Sequence, residues 1–332
     1  MPELSETAKT EYQNPPGSVT RPPGGSQKEW KRFIWRLMFS AFLPMPKHPE
    51  RQILSPQQTI RGFQALAEED GVTWLGHSTF LVRQGGQTLL TDPFLTKYAS
   101  PYPPFGPKRH AGPALRTAQL PPIDILLISH NHYDHLDERT LRRLADKDKI
   151  RVLVPLGLAE LLRGLGFINV TELDWHQSCV IGSIEVRALP VVHGSARGLR
   201  DSNQTLWCGY AIRSEKTHLF FAGDTAYGDI FAELGRTYGP FDAGLLPIGA
   251  YHPDYFFQRV HINPEEAVRV AQDMAIDHLI AMHWGNIVMT REPVEEPPIR
   301  FAKAGQKAGI ADDRLHILKI GESYQVRINS DL

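Results

Sequence analysis

Residues 128–137 read ISHNHYDHLD and follow directly on the aliphatic run IDILL at 123–127. A nearly continuous aliphatic stretch bounded by polar residues is the pattern of a strand buried on both faces, as in a sheet covered by helices. Its polar successors emerge at the carboxyl end of that strand, where α/β proteins gather binding groups. In extended chain, residues two apart point the same way, so His130 and His132 converge on one point. Asp134 and His135 follow after the chain turns, and their different direction suits a second ion. Asp137 is placed to cap a helix carrying Leu141 and Leu144. Three histidines and an aspartate within six positions read as a metal site, unlike the helical H-E-x-x-H pattern.

Four donors do not complete two coordination shells, and other strand ends supply more. PVVHG ends a run at His193, LFFAGDT ends one at Asp224, and LIAMHWG ends one at His283. Each is an aliphatic run closing on a metal-capable side chain beside a glycine, which permits sharp turns and close backbone approach.

Outward from this segment, short β-branched and aliphatic runs alternate with Gly, Asp and Asn turns. VTWLG, TFLVRQ, QTLLTD, IDILLIS, RVLVP, SIEVRALPV, CGYAIRS, THLFFAG, DAGLLPI, DHLIAMH and SYQVRI read as strands. Helical patterns cover 138–146, 158–164, 229–236, 264–273 and 298–308. Early strands come as hairpins and later ones alternate with helices, so the class is α/β with mixed sheets and helices outside. No internal repeat is visible. The chain has 332 residues, 42% hydrophobic and 22% charged, enough for a large core. A net charge of -1 without a basic stripe excludes a nucleic-acid partner. Cys179 and Cys208 are far apart and read as free core thiols.

Residues 1–29 are rich in Pro, Gly, Ser and Thr and read as a flexible tail without an ordinary signal peptide. Residues 30–43 form an amphipathic helix, with Trp30, Phe33, Ile34, Leu37, Met38, Ala41 and Phe42 at helical intervals and Lys31, Arg32, Arg36 and Ser40 opposite. The stretch is too short, and too interrupted by Arg36, to span a bilayer. Its apolar face either lies on a membrane surface, docks on its own domain, or pairs two copies as a homodimer. A proline-marked linker, LPMPKHPERQILSPQQ, completes residues 30–59, and the catalytic domain occupies 60–332.

The motifs TWLGHSTFLV, TDPF, SPYPPFGPKR, LPPIDILLISHNHYDHLD, FFAGDTAY, GPFDAGLLPIGAY, HINPEEAVRV and MHWG together resemble the N-acyl-phosphatidylethanolamine-hydrolysing phospholipase D family of the metallo-β-lactamase superfamily, over residues 71–304. The resemblance implies an αββα sandwich, two mixed sheets flanked by helices. It also implies two zinc ions, one held by His130, His132 and His193, the other by Asp134, His135 and His283, with Asp224 bridging. Iron or manganese suits the same ligand types. The implied reaction is hydrolysis of N-acyl-phosphatidylethanolamine to phosphatidic acid and an N-acylethanolamine, on a phospholipid substrate. Asp134 and Asp224 would be catalytic, and His261 would donate a hydrogen bond or proton to the leaving group. The alternative is a lactonase, esterase or other phosphodiesterase acting on a small substrate. His77 reads as a structural hydrogen-bond partner, and Lys108 and Arg109 either meet a lipid phosphate or form a solvated pair. The expected location is peripheral to a membrane, on its cytoplasmic side.

Overall fold

The computed structural model describes residues 11–18, 26–42, 52–67, 69–198 and 200–326. Two seven-stranded mixed sheets carry the chain. The first comprises β1 (Gly71–Gly76), β2 (Thr79–Gln84), β3 (Gln87–Thr91), β4 (Ile125–Leu127), β5 (Arg151–Pro155), β6 (Asn169–Leu173) and, from the far end of the chain, β14 (Ser323–Gln325). Its order is β14-β1-β2-β3-β4-β5-β6. The second comprises β7 (Ser178–Ile181), β8 (Ile184–Leu189), β9 (Gly209–Arg213), β10 (His218–Phe221), β11 (Phe241–Pro247), β12 (Ile276–Met282) and β13 (Leu315–His316), ordered β13-β12-β11-β10-β9-β8-β7.

Each sheet starts as an antiparallel meander and continues as parallel strands, β3 to β6 in one and β10 to β13 in the other. The two halves thus share a plan that leaves no repeat in the residues, because patterning alone sets it. Parallel pairing needs crossovers. These contain α3 (Glu138–Arg142), α4 (Ala159–Gly164), α5 (Ile230–Tyr238), α6 (Asp254–Phe257), α7 (Pro264–Asp273) and α8 (Glu296–Lys307). The αββα sandwich implied by the motifs is therefore the architecture found.

Strands β1, β4, β10 and the inner part of β11 and β12 are buried along their length, as nearly continuous aliphatic runs require. One apolar cluster joins both sheets, and each fully buried Phe or Leu in it is worth about 1.5–3 kcal/mol. Polar ties cross it as well: the Tyr210 hydroxyl on β9 donates to the carbonyl of Ile128 at 2.9 Å, just past β4. Edge strands β6 and β7 escape the sequence patterning because β6 has polar residues at its partly exposed positions and β7, four residues long, leaves even Val180 exposed.

Three N-terminal expectations need adjustment. The amphipathic helix α1 runs Gln27–Met38, ahead of the expected 30–43, because Ser26 and Glu29 form a capping box; a 3-10 turn follows at Ser40–Phe42. A second helix, α2 (Pro56–Ala65), begins inside the expected linker, set by a capping box between Ser55 and Gln58 and by proline in its first turn. Residues 11–18 fall in the expected tail, yet Tyr12 packs on the core and its N–H donates to Asn203 O at 2.8 Å. The linker residues 43–51 lie outside the described residues.

Candidate metal centre

The ends of β4, β8, β10 and β12 open toward one region between the sheets. The loop after β4 delivers His130, His132, Asp134 and His135; the segment after β8 delivers His193; Asp224 follows β10 and His283 follows β12. Gly223 makes the third of these possible. It has φ +60°, and a Cβ there would lie 2.7 Å from the Ser129 Cβ, so only glycine lets the Asp224 segment approach the histidine loop.

His130, His132 and His193 present ligand atoms within 4.8 Å of one another. His130 Nε2 lies 2.9 Å and His193 Nε2 3.2 Å from His132 Nδ1. A second group joins Asp134, His135 and His283 with His77, again within 4.8 Å. Asp224 stands between the groups: Oδ2 is 3.1 Å from His135 Nε2, 3.9 Å from His193 Nε2 and 4.0 Å from His130 Nε2, while Oδ1 is 3.2 Å from His283 Nε2. All seven residues that the motifs imply as ligands are thus brought together.

The donor set fits metal binding. His135 Nε2, His283 Nε2 and Asp224 Oδ1 are buried and make no hydrogen bond, although they approach within 3.1–3.2 Å of a partner. Buried polar atoms are nearly always hydrogen-bonded, so atoms that crowd without bonding are aimed at shared space. Charge supports the same reading. Burial opposes ionisation of Asp134 and Asp224, but the neighbouring histidines outweigh it and hold both carboxyls well below the usual range. Burial also opposes protonation of His135 and His283. Asp224 and Asp134 overcome it, raising His283 to about 9 and His135 well above its ordinary value. Positive charge favoured at His135 and His283 thus faces the ionised Asp134 and Asp224, the charge that bound metal ions would supply in its place. Burial keeps His130, His132 and His193 neutral, the state that metal ligation needs.

Neighbouring groups fix the rings. Asp92 Oδ2 accepts from His135 Nδ1 at 2.7 Å and from the Ser129 hydroxyl at 2.5 Å, and that serine sits 2.9 Å from His130 Nδ1. His193 Nδ1 donates to Val260 O at 2.8 Å, which turns Nε2 inward. His77 Nε2 lies 2.9 Å from Asp134 Oδ2, the structural hydrogen bond expected of it. Arg197 clamps the histidine loop from outside, donating to Asn131 O at 2.6 Å and Leu136 O at 2.9 Å with its guanidinium 3.9 Å over the Tyr133 ring. His77, Asp92 and His283 all have positive φ, backbone that the surrounding contacts must enforce.

His261 precedes α7 and is buried rather than solvated, its Nδ1 3.8 Å from Asp224 Oδ2. Burial lowers its pKa to about 4 against the pull of Asp224, so the ring stands neutral. Arg109 is not part of a solvated pair. It is buried, donates to Phe94 O and lies 4.4 Å over the Phe94 ring. Among the described residues, Cys179 and Cys208 are free thiols, as expected, but only Cys208 lies in the core, Cys179 being partly exposed on the edge strand β7. Asp92 and Arg197 were missed. Asp92 had a usable signal, since QTLLTD closes an aliphatic run on an aspartate just as LFFAGDT does; Arg197 lies in a segment without pattern.

A family model described as a beta-lactamase superfamily domain matches residues 87–284. N-acyl-phosphatidylethanolamine-hydrolysing phospholipase D 1 of Caenorhabditis elegans is 39% identical over 237 residues, covering 68% of this chain and 67% of that protein. The mitochondrial N-acyl-phosphatidylethanolamine-hydrolysing phospholipase D of Saccharomyces cerevisiae is 32% identical over 258 residues, covering 76% of this chain and 55% of that protein. A metallo hydrolase from the archaeon Ignicoccus hospitalis shares the fold, with a TM-score of 0.57 at 19% identity over 78% of this chain and 99% of that one.

Proposed function

We propose that this chain, which belongs to the beta-lactamase superfamily as a metal-dependent hydrolase and to its N-acyl-phosphatidylethanolamine-hydrolysing phospholipase D family, cleaves N-acyl-phosphatidylethanolamine into phosphatidic acid and an N-acylethanolamine. The observation that carries the two-cation part is Asp224, whose carboxylate reaches ring nitrogens of both ligand groups. His130, His132 and His193 would hold one ion, Asp134, His135 and His283 the other, and Asp224 both. Two divalent ions held there, zinc with these donors or else iron or manganese, would lower the pKa of bound water toward about 7 and would offset charge that develops on phosphoryl oxygens.

The side chains do the rest. Asp134, steadied by His77 and held ionised, orients the attacking water, and the proton that water loses is made good on the departing oxygen through solvent. Neutral His261 has one N–H to donate toward the departing ethanolamide oxygen. Burial of the centre excludes bulk water, which strengthens each of these contacts.

A diacyl lipid must reach this centre from a bilayer, and α1 supports a route. Phe33 on its inner face stacks edge-on against Phe257 at 5.3 Å, and Phe257 lies 5.9 Å from the His261 ring. The outer face leaves Ile34, Trp35, Met38 and Phe42 exposed, beside Phe105 and Tyr102; Trp35 is 56% and Phe42 62% exposed. Lys28, Lys31, Arg32 and Arg36 add positive charge on the same helix. An aromatic patch flanked by cations fits an anionic lipid surface, with the protein peripheral to the membrane on its cytoplasmic face. Among the described residues no helix is long and apolar enough to cross a membrane.

The test is product analysis on a panel of N-acyl-phosphatidylethanolamine vesicles, a lactone and a chromogenic phosphodiester. Phosphatidic acid and N-acylethanolamine in equal amounts are expected from the lipid. Lactone opening without phosphatidic acid would assign the centre to carbonyl chemistry instead.

A further inference from the structure

We infer that residues 11–18 form a strap whose Asn14 is a positioning residue for His193, and through it for the cation site of His130, His132 and His193. Strand pairing stops one residue short of that ligand. Val192 is tied to the neighbouring segment, with Ala226 N–H donating to its carbonyl at 2.7 Å and its own N–H donating to the Thr225 hydroxyl at 2.9 Å. His193 itself takes its backbone partners from elsewhere. Its N–H donates to Asn14 Oδ1 at 2.9 Å, and Asn14 Nδ2 donates to its carbonyl at 2.9 Å.

A primary amide matched to both polar groups of one residue extends the ladder by one rung, with a side chain replacing a strand. Ring and backbone are then fixed independently. Nδ1 is held by the Val260 carbonyl at 2.8 Å and the main chain by Asn14, so Nε2 has one direction left.

The strap is anchored on both sides of Asn14. On one side, the Tyr12 N–H donates to Asn203 O at 2.8 Å, and Asn203 in turn accepts from Ser195 N at 3.1 Å and donates to Ser195 O at 2.7 Å. That bonding secures the loop leaving His193. On the other side, Pro15 is buried and steers Asn14 away from helical backbone. The PPGS segment that follows closes as a turn, with Ser18 N–H donating to Pro15 O at 3.1 Å and Gly17 at φ +79°, the proline-glycine arrangement of a type II turn. Ser18 then bridges to Gly228. A segment 179 positions distant in sequence thus reaches the ligand and is locked there.

This inference rests on the two-cation reading above, and the wild-type stoichiometry measured in the same experiment checks that reading separately. Zinc-loaded wild type, Asn14→Ala, Asn14→Asp and Gln13→Ala are mixed with a chromogenic chelator, and zinc release is followed in time. Gln13 is exposed on the same strap and serves as control. Wild type is expected to release two equivalents. Asn14→Ala should release one of them at least about tenfold faster, the effect of losing support around a metal-binding histidine, with the other unchanged. Gln13→Ala should match wild type. Asn14→Asp keeps the acceptor for the His193 N–H and loses the donor to its carbonyl, so it should fall between, and it carries the test if the alanine variant does not fold. Wild-type release from Asn14→Ala, or equal acceleration of both equivalents, overturns the assignment.

Discussion

Asp224→Asn exchanges a charged oxygen for an amide of the same shape at the point where both ligand groups meet. The carboxylate lies 3.1 Å from His135 Nε2 and 3.2 Å from His283 Nε2. At about 3 Å and an effective dielectric near 20, two opposite unit charges attract by roughly 5 kcal/mol, from which desolvation subtracts. The protein supplies its own net scale. Its carboxylates raise His283 from 6.5 to about 9 against the opposing effect of burial, roughly 3 kcal/mol in favour of positive charge at that ring. Asp224 is the largest contributor to that rise. Removing its charge should therefore weaken zinc retention by about two decades, at about 1.4 kcal/mol per decade. Zinc content after dialysis against a competing chelator measures this, with circular dichroism as the check on folding. Turnover should collapse in parallel. A folded Asp224→Asn protein that keeps two zinc ions and full activity would refute the bridging role.

Other expectations follow from the same contacts. Zinc titrated into metal-free protein at pH 7 should release protons from His135 and His283, because both are held protonated there; affinity should rise with pH toward about 9, where His283 loses its proton unaided. Calorimetry in two buffers of different ionisation enthalpy counts those protons, and a count of zero would remove the electrostatic argument. Asp92→Ala deprives His135 and Ser129 of their acceptor and should lower metal affinity about 10–100-fold while every ligand remains. Unchanged affinity would show that the ring needs no such support. Trp35→Ala combined with Phe42→Ala should reduce sedimentation with anionic vesicles and leave hydrolysis of a detergent-dispersed short-chain lipid intact. Unaltered sedimentation, with a change in oligomer mass instead, would assign the patch to contact between copies.

What the residues reveal unaided depends on how the signal is carried. The ligand-bearing strand ends are legible because burial demands aliphatic runs and metal binding demands His and Asp, so each site residue marks its own boundary; His130, Asp224 and His283 show this plainly. Strands β6 and β7 leave half of their side chains to solvent, and their pattern fades into loop. Helix α2 is announced by a capping box rather than by an apolar stripe, and proline next to glutamine disguised it as linker. Asp92 and Asn14 are harder for a different reason. Neither is a proposed ligand, and the work of each depends on which partner the fold brings to it, a histidine 43 residues away for one and 179 for the other. Exposed aromatics on α1 sit between these cases: their spacing yields the helix, but that Phe33 turns inward is revealed only by its docking against Phe257.

Diffraction data recorded on both sides of the zinc absorption edge, from crystals of the zinc-loaded protein, locate the cations without reference to activity. Two anomalous peaks are expected, one among His130, His132 and His193 and one among Asp134, His135 and His283, with Asp224 in contact with both. A single peak, or peaks away from these seven side chains, would contradict the dinuclear centre and the phosphodiesterase chemistry built on it.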